Sequence, residues 1–468
     1  MRANLLRACH GVNGRTAVKI AGGLGAQGVS GDSRVKTDVL VIGGGAIGAA
    51  CTFELARRGA EVTLLERGSE LGSGCSAGSA GLLCPSHAAP LATPAALRLG
   101  LRWMLRADSP FYLRPRPGVL PWLALFAAAC RPRRAAAATR LVRALATESL
   151  ALHRMLAEEE ELGTGFDQRG VLNVYETEAG LAAGRAEAEE YAADAGLPVR
   201  LLGADEARGL EPALGPSIRG ATYFPEEAHC DSLRFVRALG EAAAQAGADV
   251  RTSIEVLGLR SERRRVAVVE TTAGDLYPRT VVLAAGAWAG LLARELGLYL
   301  PLEGGKGYHL ELDPPPQAPR LPVFVQEARV IATPLPGRLR LSGTLELAGL
   351  DLSVDRRRVE AVARAARRAL PGLEEGGVRA VWRGLRPCTP DGLPAVGRTR
   401  AADNVVLATG HAMMGLTLAP VTGRLVAALV AEEDPGADLS LLDPDRFDPR
   451  ALGHRAAGGM RPRRAARV

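Results

Sequence analysis

Short apolar runs alternate with stretches of helical periodicity along much of the chain. Residues 39–42 form a β-rich apolar run followed at once by glycines. Residues 46–58 repeat apolar positions at helical spacing and stop at Gly59, where a helix-ending glycine is expected. Residues 61–66 read as a second buried strand, so the three segments predict a β–α–β unit. Further on, 231–246 predicts a helix stopped by Gly247, leading to a strand over 250–260. Residues 265–272 and 276–277 predict a hairpin around Ala273-Gly274, and 280–283 another buried strand. A late strand over 404–407 precedes a helix from about 415 to 431. No repeat of fixed period is visible. No apolar run reaches the ~18–20 residues of a membrane-crossing helix, the nearest being 118–130.

The first strand–helix junction carries chemistry. Gly43, Gly45 and Gly48, with Ala46 and Ile47 between the last two, spell G-x-G-x-x-G. Gly43 permits the tight turn, Gly45 lets the backbone approach a pyrophosphate, and Gly48 lets helix and strand pack closely. Free N–H groups at the helix start favour the anion. Glu66 ends the second strand, where its carboxylate can accept from both ribose hydroxyls and would repel a 2′-phosphate. NADP is therefore excluded, and Arg67 beside it counts among the cofactor contacts.

Three further segments favour FAD over NAD. Residues 73–81 read S-G-C-S-A-G-S-A-G. There Gly78, Ser79, Ala80 and Gly81, then Leu82, let the backbone lie flat against a ligand. Residues 281–288 form a buried strand ending in small residues, with Ala285, Gly286 and Trp288 placed to pass the dinucleotide. Residues 408–417 make a strand–turn–helix junction containing Gly410, His411, Met414, Gly415, Leu416 and Thr417. Its helix start would stabilise the negative charge of a reduced flavin.

The motifs G-G-G-A-I-G at 43–48, S-A-G-S-A-G at 76–81 and G-K-G-Y-H-L at 305–310 come before two longer ones. These are W-R-G-L-R-P-C-T-P-D-G-L-P at 382–394 and T-G-H-A-M-M-G-L-T-L-A-P-V-T-G-R at 409–424. Together they resemble the D-amino acid dehydrogenases within the D-amino acid, glycine and sarcosine oxidase group, over about 37–435. The resemblance implies an α/β fold with a non-contiguous, Rossmann-type FAD-binding domain. Its partner would be an α+β substrate domain holding a large antiparallel sheet. We expect the FAD domain in 37–94, 222–295 and 383–440, and the substrate domain in 95–221 and 296–382. Val256 is the expected backbone contact of the adenine. Gly384 stands where covalent-flavin sarcosine oxidases carry a cysteine, so non-covalent FAD is implied. Ser79 replaces an asparagine typical of the dehydrogenases, which loosens the substrate assignment.

The reaction implied is oxidation of a D-amino acid or cyclic imino acid, such as a D-proline derivative, with hydride passing from Cα to flavin N5. Electrons would go on to a quinone or carrier. Two other readings stay open: an oxygen-using oxidase of glycine or sarcosine type, and a non-catalytic FAD-binding subunit. The substrate carboxylate needs a fixed cation. Arg386 in G-L-R-P is the first choice, because a guanidinium fork binds a carboxylate bidentately. Lys306 is the only lysine after residue 36, and a retained titratable amine suggests an active-site role. Tyr308 beside it is a candidate carboxylate or amine contact, and His87 a candidate pocket residue. No metal-ligand cluster, disulfide framework or C-x-x-C is visible among the seven widely spaced cysteines.

Charge changes one part of the picture. The 468 residues carry a net +7, with 58 basic residues of which all but three are arginine. Residues 1–36 and 451–468 hold +5 each, so the body is slightly acidic and a nucleic-acid partner is not expected. Both ends are expected to be disordered extensions, the first with a superficial likeness to a transit peptide. Residues 95–145 hold ten arginines against Asp108, interleaved with Trp103, Phe111, Trp122 and Phe126. That pattern suits either peripheral contact of a cytoplasmic protein with the inner membrane or a helical insertion packed on the body. Oligomeric state is left open.

Overall fold

The computed structural model describes residues 35–103 and 110–448. Most of the first tail, the whole of 451–468, and residues 104–109 of the basic segment lie outside these residues.

Strand Val35–Ile42, helix Ala46–Arg57 and strand Val62–Leu65 form the predicted unit. The strands run parallel, with Val39 opposite Val62 and Ile42 opposite Leu65. Their burial on both faces explains the unbroken apolar runs. They sit inside an eight-stranded sheet in the order 256–262, 265–271, 274–283, 35–42, 62–65, 249–251. Strands Ala395–Arg398 and Val405–Thr409 join it beside 274–283. One face is covered by helices Ala46–Arg57, Ser232–Gln245 and Ala419–Val430.

Two strand expectations change. The segment 250–260 is two strands, Asp249–Arg251 and Val256–Glu262, because the chain turns at Ser253 with φ of 59°. Conversely, 276–277 and 280–283 belong to one strand, Gly274–Leu283. Pro278 interrupts the pattern but not the strand. It lies between the stretch paired with 265–271 and the stretch paired with 405–409, where one side of the strand has no ladder. The late helix also starts at Ala419 rather than near 415, with Pro420 in its first turn.

A second sheet has nine strands in the order 378–388, 303–312, 338–347, 330–335, 323–325, 171–175, 220–224, 200–203, with 111–113 added beside 338–347. It is mostly antiparallel. Helix Arg356–Ala369 covers its outer face, and the core there includes Leu310, Leu341, Val359 and Ala366.

The expected boundaries shift accordingly. Positions 222 and 383 fall inside strands Gly220–Phe224 and Val378–Cys388 of the second sheet. The long helix Pro132–Glu158, expected in the substrate domain, packs Val142, Leu145, Ala146 and Leu150 into the core of the first sheet. Its neighbour Leu120–Ala129 buries Trp122, whose Nε1 donates to the Cys388 carbonyl at 3.1 Å. That helix therefore packs on the body at the end of strand Val378–Cys388.

Candidate functional site

A cavity of about 1310 Å³ runs between the two sheets. Small-molecule sites are commonly ~300–1,000 Å³, so this one has room for an extended dinucleotide and a second molecule.

One end is built from backbone. Gly43 has φ of 108°, and a Cβ there would stand 2.6 Å from the Ala284 carbonyl oxygen. A Cβ at Gly48 would stand 1.8 Å from Gly43 O. These two glycines let helix 46–57, strand 35–42 and strand 274–283 meet. Gly45, Ala46 and Ile47 line the cavity at the helix start, with Glu66, Arg67, Val256 and Trp288. The Glu66 carboxylate accepts from Gly44 N at 2.8 Å and Gly68 N at 2.7 Å, which fixes it at the strand end. The Arg67 guanidinium lies 3.8 Å over the Trp288 ring. Ser76 Oγ accepts from Ala46 N at 2.9 Å and ties the small-residue loop to the helix start.

In the middle, glycines admit an aromatic. A Cβ at Gly78 would come within 1.8 Å of the Trp382 ring and one at Gly384 within 1.9 Å. Trp382 also stacks on His309, centroids 5.0 Å apart. Ser79, Ala80, Leu82, Ala285 and Gly286 line the adjoining wall with Gly384, Met414, Gly415, Leu416 and Thr417. His411 lines it too. Its Nε2 lies 3.0 Å from Thr422 Oγ1, and burial lowers its pKa to about 3, so the ring is neutral.

Gly48, Gly81 and Gly410 are not on the cavity wall; they shape it from behind. A Cβ at Gly81 would meet Cys230 O at 2.5 Å, and one at Gly410 would meet the Thr389 methyl at 2.7 Å.

The other end is built from side chains. Arg386 lines it and has no carboxylate partner among the described residues. Its Nη1 donates to Thr344 O at 3.0 Å, and its fork lies across Gly307, where a Cβ would be 2.2 Å from Nη1. His87 also faces the cavity. Burial, helped by the nearby Arg329 charge, lowers its pKa to about 4. Trp122, Phe126 and Leu345 supply the apolar wall.

Lys306 and Tyr308 do not belong here. Alternate residues of a strand face opposite ways. Gly307 faces the cavity, so its neighbours face helix Arg356–Ala369. Lys306 is 1% exposed, and its Nζ donates to Asp351 Oδ2 at 2.8 Å and Ser353 O at 3.0 Å. The Tyr308 hydroxyl donates to Glu346 Oε2 at 3.0 Å and accepts from Asp355 N. The retained lysine and its tyrosine neighbour serve a buried ion-pair network, not the cavity.

Thr344 is the residue the sequence concealed. It has φ of 67°, a strained conformation for a β-branched residue. Its carbonyl holds Arg386, and its Oγ1 is buried at the cavity without a hydrogen-bond partner. Only the neighbours Ser342-Gly343 hint at an unusual backbone there.

The glycine-lined cradle, the ribose-side carboxylate and the neutral His411 fit FAD. The family profile "DAO: FAD dependent oxidoreductase" matches residues 38–429. The chain belongs to this family of FAD-dependent oxidoreductases. A curated relative, D-amino acid dehydrogenase of Paramagnetospirillum magneticum, is 34% identical over 87% of this chain and 98% of its own. D-amino acid dehydrogenase 2 of Ralstonia nicotianae is 35% identical over 85% and 97%. Among solved structures, glycine oxidase from Geobacillus kaustophilus is 29% identical, covers 88% of this chain and 99% of its own, and superposes with a TM-score of 0.72. The flavoenzyme thus has the expected fold of a split Rossmann-type domain and a large antiparallel sheet. No helix among the described residues is long and apolar enough to cross a membrane.

Proposed function

We propose that this flavoenzyme oxidises the Cα–N bond of a D-amino acid or cyclic imino acid, such as a D-proline derivative. The resulting imine is then hydrolysed, or leaves as a ring imine, and the electrons pass to a quinone or carrier. The observation that carries the reading is Arg386. It is a guanidinium with no carboxylate partner among the described residues, on the cavity wall and fixed from behind by the Thr344 carbonyl.

The bound flavin supplies the hydride acceptor. The chain's residues do the rest. Arg386 holds the substrate carboxylate through a planar fork, so the substrate's orientation is set before reaction. Gly307 must lack a side chain for that fork to lie flat. Trp122, Phe126 and Leu345 keep water from the reacting carbon. His411 and His87 stay neutral and add no positive charge beside the substrate amine, which must be unprotonated for hydride to leave Cα. Peripheral membrane contact through 95–145 is supported by Leu120, 63% exposed, with exposed Arg131 and Arg133 beyond the same helix.

The test is a stopped-flow flavin-bleaching screen over D- and L-amino acids, glycine, sarcosine and D-hydroxyproline, with and without a quinone analogue. Fast bleaching by D-amino or D-imino acids, with reoxidation by quinone and little peroxide, is expected. Rapid peroxide formation with stoichiometric oxygen uptake would favour the oxidase reading, for which the likeness to glycine oxidase speaks. No bleaching by any amine would overturn both.

A further inference from the structure

The sequence shows no metal-ligand cluster, yet the fold assembles one in the cavity wall. Cys84 precedes the 3₁₀ turn Pro85–His87, and His87 N donates back to Cys84 O at 3.2 Å. On such a turn side chains three residues apart eclipse, so thiol and imidazole point the same way. Glu227 arrives from the link between strands Gly220–Phe224 and Ala228–His229. Its Oε1 accepts from Ser86 N at 2.8 Å, so the same turn aims the carboxylate. The donor atoms of Cys84, His87 and Glu227 lie within 4.8 Å of one another.

A second observation indicates that something is meant to bind. Glu227 is 2% exposed, and its Oε2 has no hydrogen-bond partner among the described residues, with the Cys84 thiol, a weak donor, close to the carboxylate. Buried polar atoms are nearly always satisfied, so an orphaned carboxylate oxygen beside a thiol and an imidazole is unusual. No ion pair to Glu227 is seen among the described residues.

We propose that Cys84, His87 and Glu227 bind a single dication of the zinc class. Thiolate, imidazole and carboxylate together suit zinc and disfavour magnesium or calcium, which prefer all-oxygen shells. Three protein ligands leave a fourth position, and Cys84 and His87 both line the cavity, so the site opens onto it. Ser86 Oγ lies 2.9 Å from His87 Nδ1 and Gln326 Nε2 lies 3.5 Å from His87 Nε2, so whichever nitrogen binds the metal, the other keeps an outer-shell partner that orients the ring.

The charges balance. An ordinary thiol is protonated at neutral pH and binds metal only as the thiolate, so a dication takes the place of the Cys84 proton. Thiolate, carboxylate and dication then sum to zero around a neutral imidazole. Burial of the cluster is thereby reconciled with charge.

The experiment uses the FAD-loaded protein, stripped with a chelator and desalted. Zinc is titrated against a chromophoric competitor, and retained zinc is measured by mass spectrometry after gel filtration. One zinc per chain, with proton release, is expected. Cys84→Ser and Glu227→Gln should each weaken binding at least ~10-fold while flavin content stays at the wild-type level. Cobalt(II) should give a thiolate charge-transfer band that Cys84→Ser abolishes. If Cys84→Ser loses flavin through misfolding, the near-isosteric Glu227→Gln and the wild-type cobalt band decide. Absence of retained zinc, or equal affinity in wild type and Glu227→Gln, would overturn the proposal. The readout is bound metal, so it does not depend on which amine is oxidised.

Discussion

The two ends of the cavity are made of unlike material. The nucleotide end consists of backbone, with glycines whose missing side chains let three elements touch. The substrate end consists of side chains delivered by strands 338–347 and 378–388, by helix 120–129 and by the turn 85–87. Backbone cradles recognise what all users of a cofactor share. Side-chain walls recognise what distinguishes one substrate from another. The two ends should therefore fail differently when altered.

The largest effect belongs to the nucleotide end. Gly48→Val places carbon where Gly43 O already stands, and the purified protein should be colourless, with absorbance at the flavin bands absent. If yellow protein forms, the cradle is looser than the geometry requires.

Next comes the buried network behind the substrate end. Lys306→Met removes the cation beside Glu346, leaves Asp351 paired with Arg114, and should cost about 3 kcal/mol or more in denaturant unfolding. The folded fraction should keep its substrate KM. A raised KM at normal stability would move Lys306 into the cavity after all.

Arg386→Met should keep full flavin content but lose about 100-fold in kcat/KM, the ~3 kcal/mol of a charge-assisted contact. Flavin lost together with activity would erase the distinction between the ends.

The smallest effect is the most diagnostic. Thr344→Gly relieves the left-handed strain and should stabilise the fold by about 1 kcal/mol, while weakening substrate binding about 5-fold. Melting temperature and KM should therefore rise together. A variant that loses stability would show that the threonine side chain, not its strain, dominates.

This contrast also explains what could be read in the chain. The fingerprint at 43–48 was legible because each of its glycines acts on neighbours brought close by one βαβ unit. The place of Arg386 on the cavity wall was legible through its surrounding motif. Lys306 and Tyr308 were not, because a shift of one residue along a strand exchanges its two faces, and nothing local states which face meets the cavity. Thr344 depends on a backbone angle that its type disfavours. The division of 250–260 rests on the single residue Ser253. Helix 132–158 has an apolar stripe that would suit either sheet. Cys84 and Glu227 are far apart in sequence, and only the pairing of strands Leu82–Leu83 and Ala228–His229 brings them together.

The late position of the first sheet's last strands has a consequence for biosynthesis. Strand Val405–Thr409 and the junction through Thr417 complete a cradle begun at Gly43. A nascent chain cannot enclose its flavin until nearly all of it has left the ribosome. Until then the apolar walls of the cavity stay open to chaperones and proteases. Retained flavin thus reports that translation has passed Thr417, since a chain cut short before it lacks one wall of the cradle.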